Sequence, residues 1–121
     1  MSYKQTHPDF EKRKQESAKI REKWPDRIPL ICEKSATSKL PDIDKTKFLV
    51  ENDLSAYHFN WVVRKRIKLP ETESLYFFVN GRYLLKGDTL MSEAYKNRKD
   101  PDGFLYITYT DETTLGAELD Q

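Results

Sequence analysis

Apolar residues recur along this chain at two spacings, and the alternation between them marks out its elements. From Phe10 to Trp24 the chain is mostly charged, with Phe10, Ile20 and Trp24 forming a thin apolar stripe. That spacing predicts a helix over 10–24. Pro25 pushes the residue before it out of the helical region and ends the helix at Trp24. So charged a helix is not stable alone in water and must lie on something. The Thr6-His7-Pro8-Asp9 stretch in front of it predicts an irregular or short helical lead. Arg27 to Lys34 has strand composition, and Pro29, which lacks a ladder donor, belongs at a strand start or an unpaired side. Residues 35–44 are polar and read as a loop. Lys45 to Val50 is a second strand whose lysines suit an exposed sheet edge. Leu54, Phe59, Val62, Val63 and Ile67 fall largely at three- and four-residue steps and predict a helix over 54–67, capped by Ser55 or Asp53. Its end carries Arg64, Lys65, Arg66 and Lys68, cations that complement the helix dipole, before Pro70.

Leu75 to Val79 is almost continuously apolar, as expected of a central strand buried on both faces. Asn80-Gly81 is a strong hairpin signal, with Tyr83-Leu84-Leu85 returning. Asp88 is predicted to cap a short helix carrying Leu90, Met91, Ala94 and Tyr95. Phe104 to Thr110 is a final strand, followed by an acidic tail. The order is a helix, then β-β-α-β-β-α-β, with strand pairs joined by connections shorter than about 12 residues. This is an α+β pattern: the ubiquitin-like β-grasp with additional N-terminal helices, its last strand in the middle of the sheet. Three parts are expected: a helical extension over 1–25 packed on the core, the β-grasp core over 26–110, and a tail over 111–121.

Composition narrows the function classes. At 121 residues with 37% hydrophobic and 34% charged positions, the chain has material for one core under a densely charged surface. Its 12% aromatic content argues against disorder. The apolar run at 75–79 falls far short of the ~20 residues of a membrane-spanning helix. No apolar leader opens the chain, so it is expected to stay inside the cell. Residues 1–68 carry 16 Lys/Arg against 10 Asp/Glu, and residues 69–121 carry 5 against 10. A basic half of this kind steers phosphates or acidic peptides toward it.

Catalytic chemistry finds little support. The four glycines, Gly81, Gly87, Gly103 and Gly116, form no phosphate-cradling loop. Cys32 sits within a strand and reads as a buried structural thiol. His7 and His58 have no companion at ligand spacing. No catalytic constellation, cofactor or metal site is expected. The Arg64–Lys68 cluster reads either as a solvated helix end or as a site for phosphate or an acidic peptide. The tail reads either as ordinary fraying or as an extended arm that delivers Gly116 into another protein's active site, where the lack of a Cβ lets a narrow tunnel reach its carbonyl.

A set of short stretches, in order along nearly the whole chain, separates these readings. They are Phe10-Glu11-Lys12-Arg13-Lys14, Asp26-Arg27-Ile28-Pro29, Ile31-Cys32-Glu33-Lys34 and Asp44-Lys45-Thr46-Lys47-Phe48-Leu49-Val50. They continue with Arg64-Lys65-Arg66-Ile67, Phe77-Phe78-Val79-Asn80 and Asp102-Gly103-Phe104-Leu105-Tyr106. With them the chain resembles the GABARAP and autophagy-related protein eight family of ubiquitin-like modifiers. The resemblance implies a protein that is not an enzyme. A processing cysteine protease cuts after Gly116, and activating and conjugating enzymes then pass the glycine acyl group to phosphatidylethanolamine. It implies a cytoplasmic protein that moves to the autophagosome membrane when conjugated, and no nucleic-acid partner.

The resemblance also implies docking of receptors through short aromatic-x-x-aliphatic motifs added as a strand to Lys45–Val50. The aromatic pocket would use Glu16, Ile20, Pro29, Ile31, Lys47, Leu49 and Phe104. The aliphatic pocket would use Phe48, Val50, Leu54, Phe59, Val62 and Arg66, with Lys45 and Lys47 meeting acidic residues that flank the motif. Glu51 stands where relatives often have proline, Leu115 where an aromatic residue is usual, and Asp9 is an added residue. The loop from Gly81 to Asp88 lacks a double proline. The competing expectation is a non-conjugated ubiquitin-like trafficking or microtubule-associated adaptor that uses the same groove.

Overall fold

The computed structural model describes residues 2–112. Its elements are α1 (Tyr3–Thr6), α2 (Phe10–Lys23), β1 (Arg27–Lys34), β2 (Lys47–Glu51), α3 (Ala56–Arg66), β3 (Tyr76–Val79), β4 (Tyr83–Leu84), α4 (Met91–Arg98) and β5 (Leu105–Thr110). The strands form one sheet in the order β2-β1-β5-β3-β4. β1 and β5 run parallel, and the other neighbours are antiparallel. Strand period two sends alternate side chains to opposite faces. Ile28, Leu30 and Cys32 of β1 and Leu105, Ile107 and Tyr109 of β5 join Phe59, Val63 and Ile67 in the main core, on the α3 face. Ile31 and Phe104 face the other way and pack with Tyr3 of α1 and Ile20 of α2. Burying each large apolar side chain contributes about 1.5–3 kcal/mol before the entropy of ordering it.

The helix ends follow local chemistry. Ser55 caps α3, its hydroxyl accepting from the His58 amide at 3.2 Å. At the other end Lys68 adopts φ +55°. The Leu69 amide donates to the Arg64 carbonyl at 2.9 Å and the Lys68 amide to Lys65 at 3.3 Å, which closes a Schellman motif. Asn80 and Gly81 have φ +56° and +66° and the Arg82 amide donates to Val79 at 3.0 Å, so the expected hairpin turn is present. Asp9, the added residue, caps α2 by accepting from the Lys12 amide at 3.2 Å.

Two expectations are corrected. Asp88 does not cap α4. Its first amides are satisfied by another segment: Met91 donates to the Leu54 carbonyl at 2.8 Å and Ser92 to Asn52 at 3.1 Å. The helix therefore needs no side-chain cap, and Leu90 at the capping position makes none. The Leu75–Val79 run is an interior strand as expected: β3 lies between β5 and β4, and β5 holds the middle. Phe77, Phe78 and Val79 are all buried, so the strand is covered on both faces. Finally, the stripe of α2 docks only in part: Ile20 packs against the Ile31 and Phe104 cluster, and the rest of the dock is polar. Phe10 and Trp24 stay 37% and 40% exposed, while Arg13 and Ser17 are buried.

Candidate functional site

β2 is a sheet edge, and its register with β1 decides which groups it offers. The Cys32 amide donates to the Thr46 carbonyl at 2.8 Å and the Asn52 amide to Asp26 at 3.0 Å. With Ile28 opposite Val50 and Leu30 opposite Phe48, the hydrogen-bonded pairs fall on the even positions of β2. The main-chain groups of Lys47, Leu49 and Glu51 therefore point away from the sheet, free to pair with an added strand. Pro29 lies opposite Leu49 in a non-bonded pair, so its missing N–H interrupts nothing on this side.

The same parity sorts the side chains. Lys47 and Leu49 share the α2 face of the sheet with Pro29 and Ile31, and Glu16 and Ile20 of α2 stand beside them. Phe48 and Val50 share the α3 face with Phe59, Leu54 and Val62. Ile31 and Phe104 are fully buried beneath Tyr3, so on the α2 face they form a floor and not an open wall. Glu16 and Lys47 form an ion pair across that face, and the Lys47 ammonium lies 5.8 Å from the Tyr3 ring centroid. Burial works to lower the Lys47 pKa, but the Glu16 carboxylate outweighs it and the net shift is upward. Lys47 therefore stays charged, and an incoming carboxylate competes with Glu16 for it.

On the α3 face Phe59 is fully buried and Phe48 nearly so, which makes them the floor. Val50, Leu54 and Val62 are partly exposed and offer the apolar surface. Two cations flank Phe48: Lys45 Nζ is 5.1 Å and Arg66 Cζ 5.5 Å from its ring centroid. Arg66 also bridges to Asp44 at 3.1 Å. The Arg64–Lys68 cluster is thus divided. Arg64 is held by Asn60 at 2.8 Å and the Pro70 carbonyl at 3.2 Å, Lys65 stacks on Trp61, and only Arg66 turns toward β2. Gly116 lies outside the described residues.

The position of Glu16 and Ile20 depends on a network that the sequence pattern did not show. Asp102, fully buried, accepts from Arg13 Nε at 2.9 Å, the Tyr106 hydroxyl at 2.6 Å and the Phe104 amide at 2.9 Å. Hydrogen bonding to Asp102 raises the Arg13 pKa, so the guanidinium stays charged. Burial and then the hydrogen bond to Asp102 push the Tyr106 phenol up, so it remains a donor. The Ser17 hydroxyl donates to the Asp102 carbonyl, and Arg13 also donates to His7 at 2.7 Å. The only signal in the sequence was an arginine amid the charges of a helix, indistinguishable there from its exposed neighbours.

A second clip holds α1. The Tyr3 amide donates to Glu33 Oε2 at 2.7 Å, and Lys4 pairs with Asp100 at 2.6 Å. Burial raises the Glu33 pKa, against the smaller opposing effect of the Tyr3 amide. A carboxyl with a raised folded pKa binds its proton more readily folded than unfolded, so its contribution to stability falls as pH rises through that folded value. Burial also acts to raise the Asp100 pKa, but Lys4 and the Asp102 amide outweigh it and the net shift is downward. That contribution is present above the unfolded carboxylate range and lost as pH falls through the lowered value. Glu33→Gln keeps the acceptor for Tyr3 and removes the buried charge. Thermal unfolding should show the melting temperature of the variant rising relative to wild type at pH 7, with the difference shrinking near pH 5. An unchanged difference at the two pH values rejects this account of Glu33.

A five-stranded mixed sheet with α3 across one face and added helices on the other defines a ubiquitin-like β-grasp protein. Residues 12–116 match the model of the family described as "Autophagy protein Atg8 ubiquitin like". The chain is 53% identical over 109 residues to Autophagy-related protein 8e of Arabidopsis thaliana, covering 90% of this chain and 88% of that protein. It is 50% identical over 116 residues to Autophagy-related protein 8 of Vanderwaltozyma polyspora, covering 96% and 97%. The crystal structure of Trypanosoma brucei ATG8 superposes with a TM-score of 0.85 at 40% identity, covering 96% of this chain and 99% of that one. The chain belongs to the Atg8 family and is a ubiquitin-like modifier of autophagy. Among the described residues no helix is long and apolar enough to cross a membrane.

Proposed function

We propose that this chain is cut after Gly116 by a cysteine protease and conjugated through that glycine to phosphatidylethanolamine. On the autophagosome membrane it then docks receptors along β2. The division of side chains across β2, with Lys47 and Leu49 on one face and Phe48 and Val50 on the other, carries the docking part. A peptide added as a strand sends alternate side chains to the same two faces. Its aromatic residue would go to the α2 face, among Glu16, Ile20, Pro29, Ile31, Lys47, Leu49 and Phe104. Its aliphatic residue, an odd number of positions on, would go to the α3 face, among Phe48, Val50, Leu54, Phe59, Val62 and Arg66. Because Ile31 and Phe104 are fully buried beneath Tyr3, aromatic entry requires the Glu16–Lys47 pair to part and Tyr3 to yield. That reorganisation opposes binding, so affinity should be modest and reversible.

The chain supplies only an acyl group. Activation and transfer belong to the activating and conjugating enzymes, and cytoplasmic and membrane-bound pools follow from the two states. Calorimetry with a synthetic peptide carrying three acidic residues before an aromatic-x-x-aliphatic core tests the docking part. Lys47→Ala should weaken binding about tenfold, because a partly buried charge pair between peptide and protein is lost. Raising salt should narrow the gap between the variants. Equal affinity of both proteins for this peptide rejects the assignment of Lys47 and the α2 face.

A further inference from the structure

The side of α3 away from β2 carries a second surface. A groove of about 520 Å³ lies between α3 and β3, lined in part by Tyr57, Asn60, Trp61, Arg64, Leu75 and Tyr76. Tyr57 is 73% and Trp61 56% exposed, large apolar areas that the core does not use. The two stand four residues apart, so they share one helix face. Lys65 continues that face, its ammonium 3.8 Å from the Trp61 ring centroid. Arg64 is held at the groove by Asn60 and Pro70, and Lys68 follows in the exposed helix-end turn. Among the described residues no carboxylate forms an ion pair with Arg64, Lys65 or Lys68. Glu71 in the lining is the one acidic residue of the groove wall.

Tyrosine and tryptophan rings flanked by lysine and arginine suit the boundary between a bilayer and water, where rings take the acyl-glycerol level and cations meet phosphates. Position gives the second argument. Tyr76 in the groove lining is paired with Thr110, so the chain leaves β5 one strand spacing, about 4.8 Å, from it. From Glu112 to Gly116 the backbone reaches at most about 14 Å. A chain fixed to a bilayer at Gly116 therefore holds this end of the sheet near the lipid surface.

We propose that the Tyr57–Trp61–Lys65 face of α3, with Arg64 and Lys68, is a contact surface for an anionic phospholipid bilayer. It rests on the proposed attachment of the tail to a membrane. One short face binds weakly on its own, and the tether supplies the local concentration that lets it engage. The contact would fix the orientation of the domain and thereby which way β2 faces.

A chemical tether separates this inference from the attachment reading. In the full chain, Gln121→Cys supplies a thiol for coupling, while Cys32 is fully buried and its thiol is pushed to a higher pKa, chiefly by that burial. Trp24→Phe leaves Trp61 as the one indole, since the chain has two tryptophans. This protein is coupled to a maleimide lipid in vesicles of phosphatidylcholine with or without phosphatidylserine. Trp61 emission should shift to the blue and be quenched at least twofold by lipids brominated near the headgroup, more strongly with phosphatidylserine present. Lys65→Glu with Lys68→Glu should abolish the response at unchanged far-ultraviolet circular dichroism. Emission equal to that in vesicle-free buffer, or a response indifferent to both lipid charge and the two reversals, overturns the proposal. Shielding of Trp61 by a cytosolic protein fraction but not by vesicles also overturns it, assigning the face to a protein. None of these results depends on processing at Gly116.

Discussion

Gly116→Ala is expected to abolish membrane attachment of this chain in starved cells while leaving peptide binding at β2 within twofold of wild type. The tail from Asp111 carries a single glycine, preceded by Leu115 and followed by Ala117-Glu118-Leu119-Asp120-Gln121. An enzyme that must reach the carbonyl of a chain end through a narrow channel discriminates against one methyl group, because a glycine backbone has no Cβ to meet the channel wall. Without conjugation no acyl chain is acquired. Each buried methylene contributes about 0.8 kcal/mol, and two chains are needed for stable anchorage, so loss of the lipid moves the protein off the membrane altogether. Intact mass of the protein recovered from membranes is the measurement. Wild type should end at Gly116 and carry the added mass of phosphatidylethanolamine. The variant should be absent from membranes, or present only as a chain ending at Gln121. Equal membrane recovery of wild type and variant, both full length, would leave a peptide-binding adaptor whose tail is not a substrate. Leu115, in place of the usual aromatic residue, predicts slower cleavage; Leu115→Phe should speed processing if the protease reads that position by apolar contact.

The parts of this molecule legible in its sequence are those governed by local periodicity. Period two along Lys47-Phe48-Leu49-Val50 is enough to place these side chains on alternate faces, and lysines at 45 and 47 mark the edge. Asn80-Gly81 specifies its turn because few other residue pairs tolerate two positive φ values. What periodicity does not carry is pairing across the chain. Arg13 and Asp102 are 89 positions apart, and Ser17 and Asp102 are 85. Nothing local separates these buried polar residues from the solvated ones around them. The same limit explains α4, whose first amides are capped by carbonyls of Leu54 and Asn52, far along the chain, so the nearby Asp88 goes unused as a cap. The exposed pair Tyr57 and Trp61 was hidden for a different reason. Periodicity leaves both off the stripe of Leu54, Phe59, Val62, Val63 and Ile67 but gives them no role, and only their exposure beside a groove shows that they form a surface of their own.

Asp102→Asn is expected to lower stability by about 3 kcal/mol and to release α2 from the sheet, because it leaves the Arg13 guanidinium buried without its counter-charge. For a chain of this length that corresponds to a fall in melting temperature of roughly 10 °C. The loss should be local at first. α2 depends on docking, since so charged a helix does not persist alone. Amides of 10–23 should lose hydrogen-exchange protection while those of β1, β3 and β5 keep theirs. Gly103→Ala attacks the same dock from a different side. Gly103 has φ +90°, and a Cβ there would stand 3.0 Å from Ser17 Cβ and collide with Ser17 Oγ. Both the backbone strain and the overlap should act, for about 2–4 kcal/mol, again with exchange confined to α2. A double-mutant cycle decides whether the ion pair itself is responsible. Arg13→Met combined with Asp102→Asn removes the stranded charge, so the double variant should be at least about 1 kcal/mol more stable than the sum of the single losses predicts. Strict additivity would mean that Asp102 acts through the Phe104 amide and the Tyr106 hydroxyl alone. Docked α2 is also what holds Glu16 and Ile20 beside Lys47. Asp102→Asn should therefore weaken a peptide anchored by its aromatic residue while hardly affecting contacts on the α3 face at Val50, Leu54 and Val62. A buried network under α2, joined to the aromatic pocket through the Phe104 amide, thus sets the shape of a surface at the sheet edge.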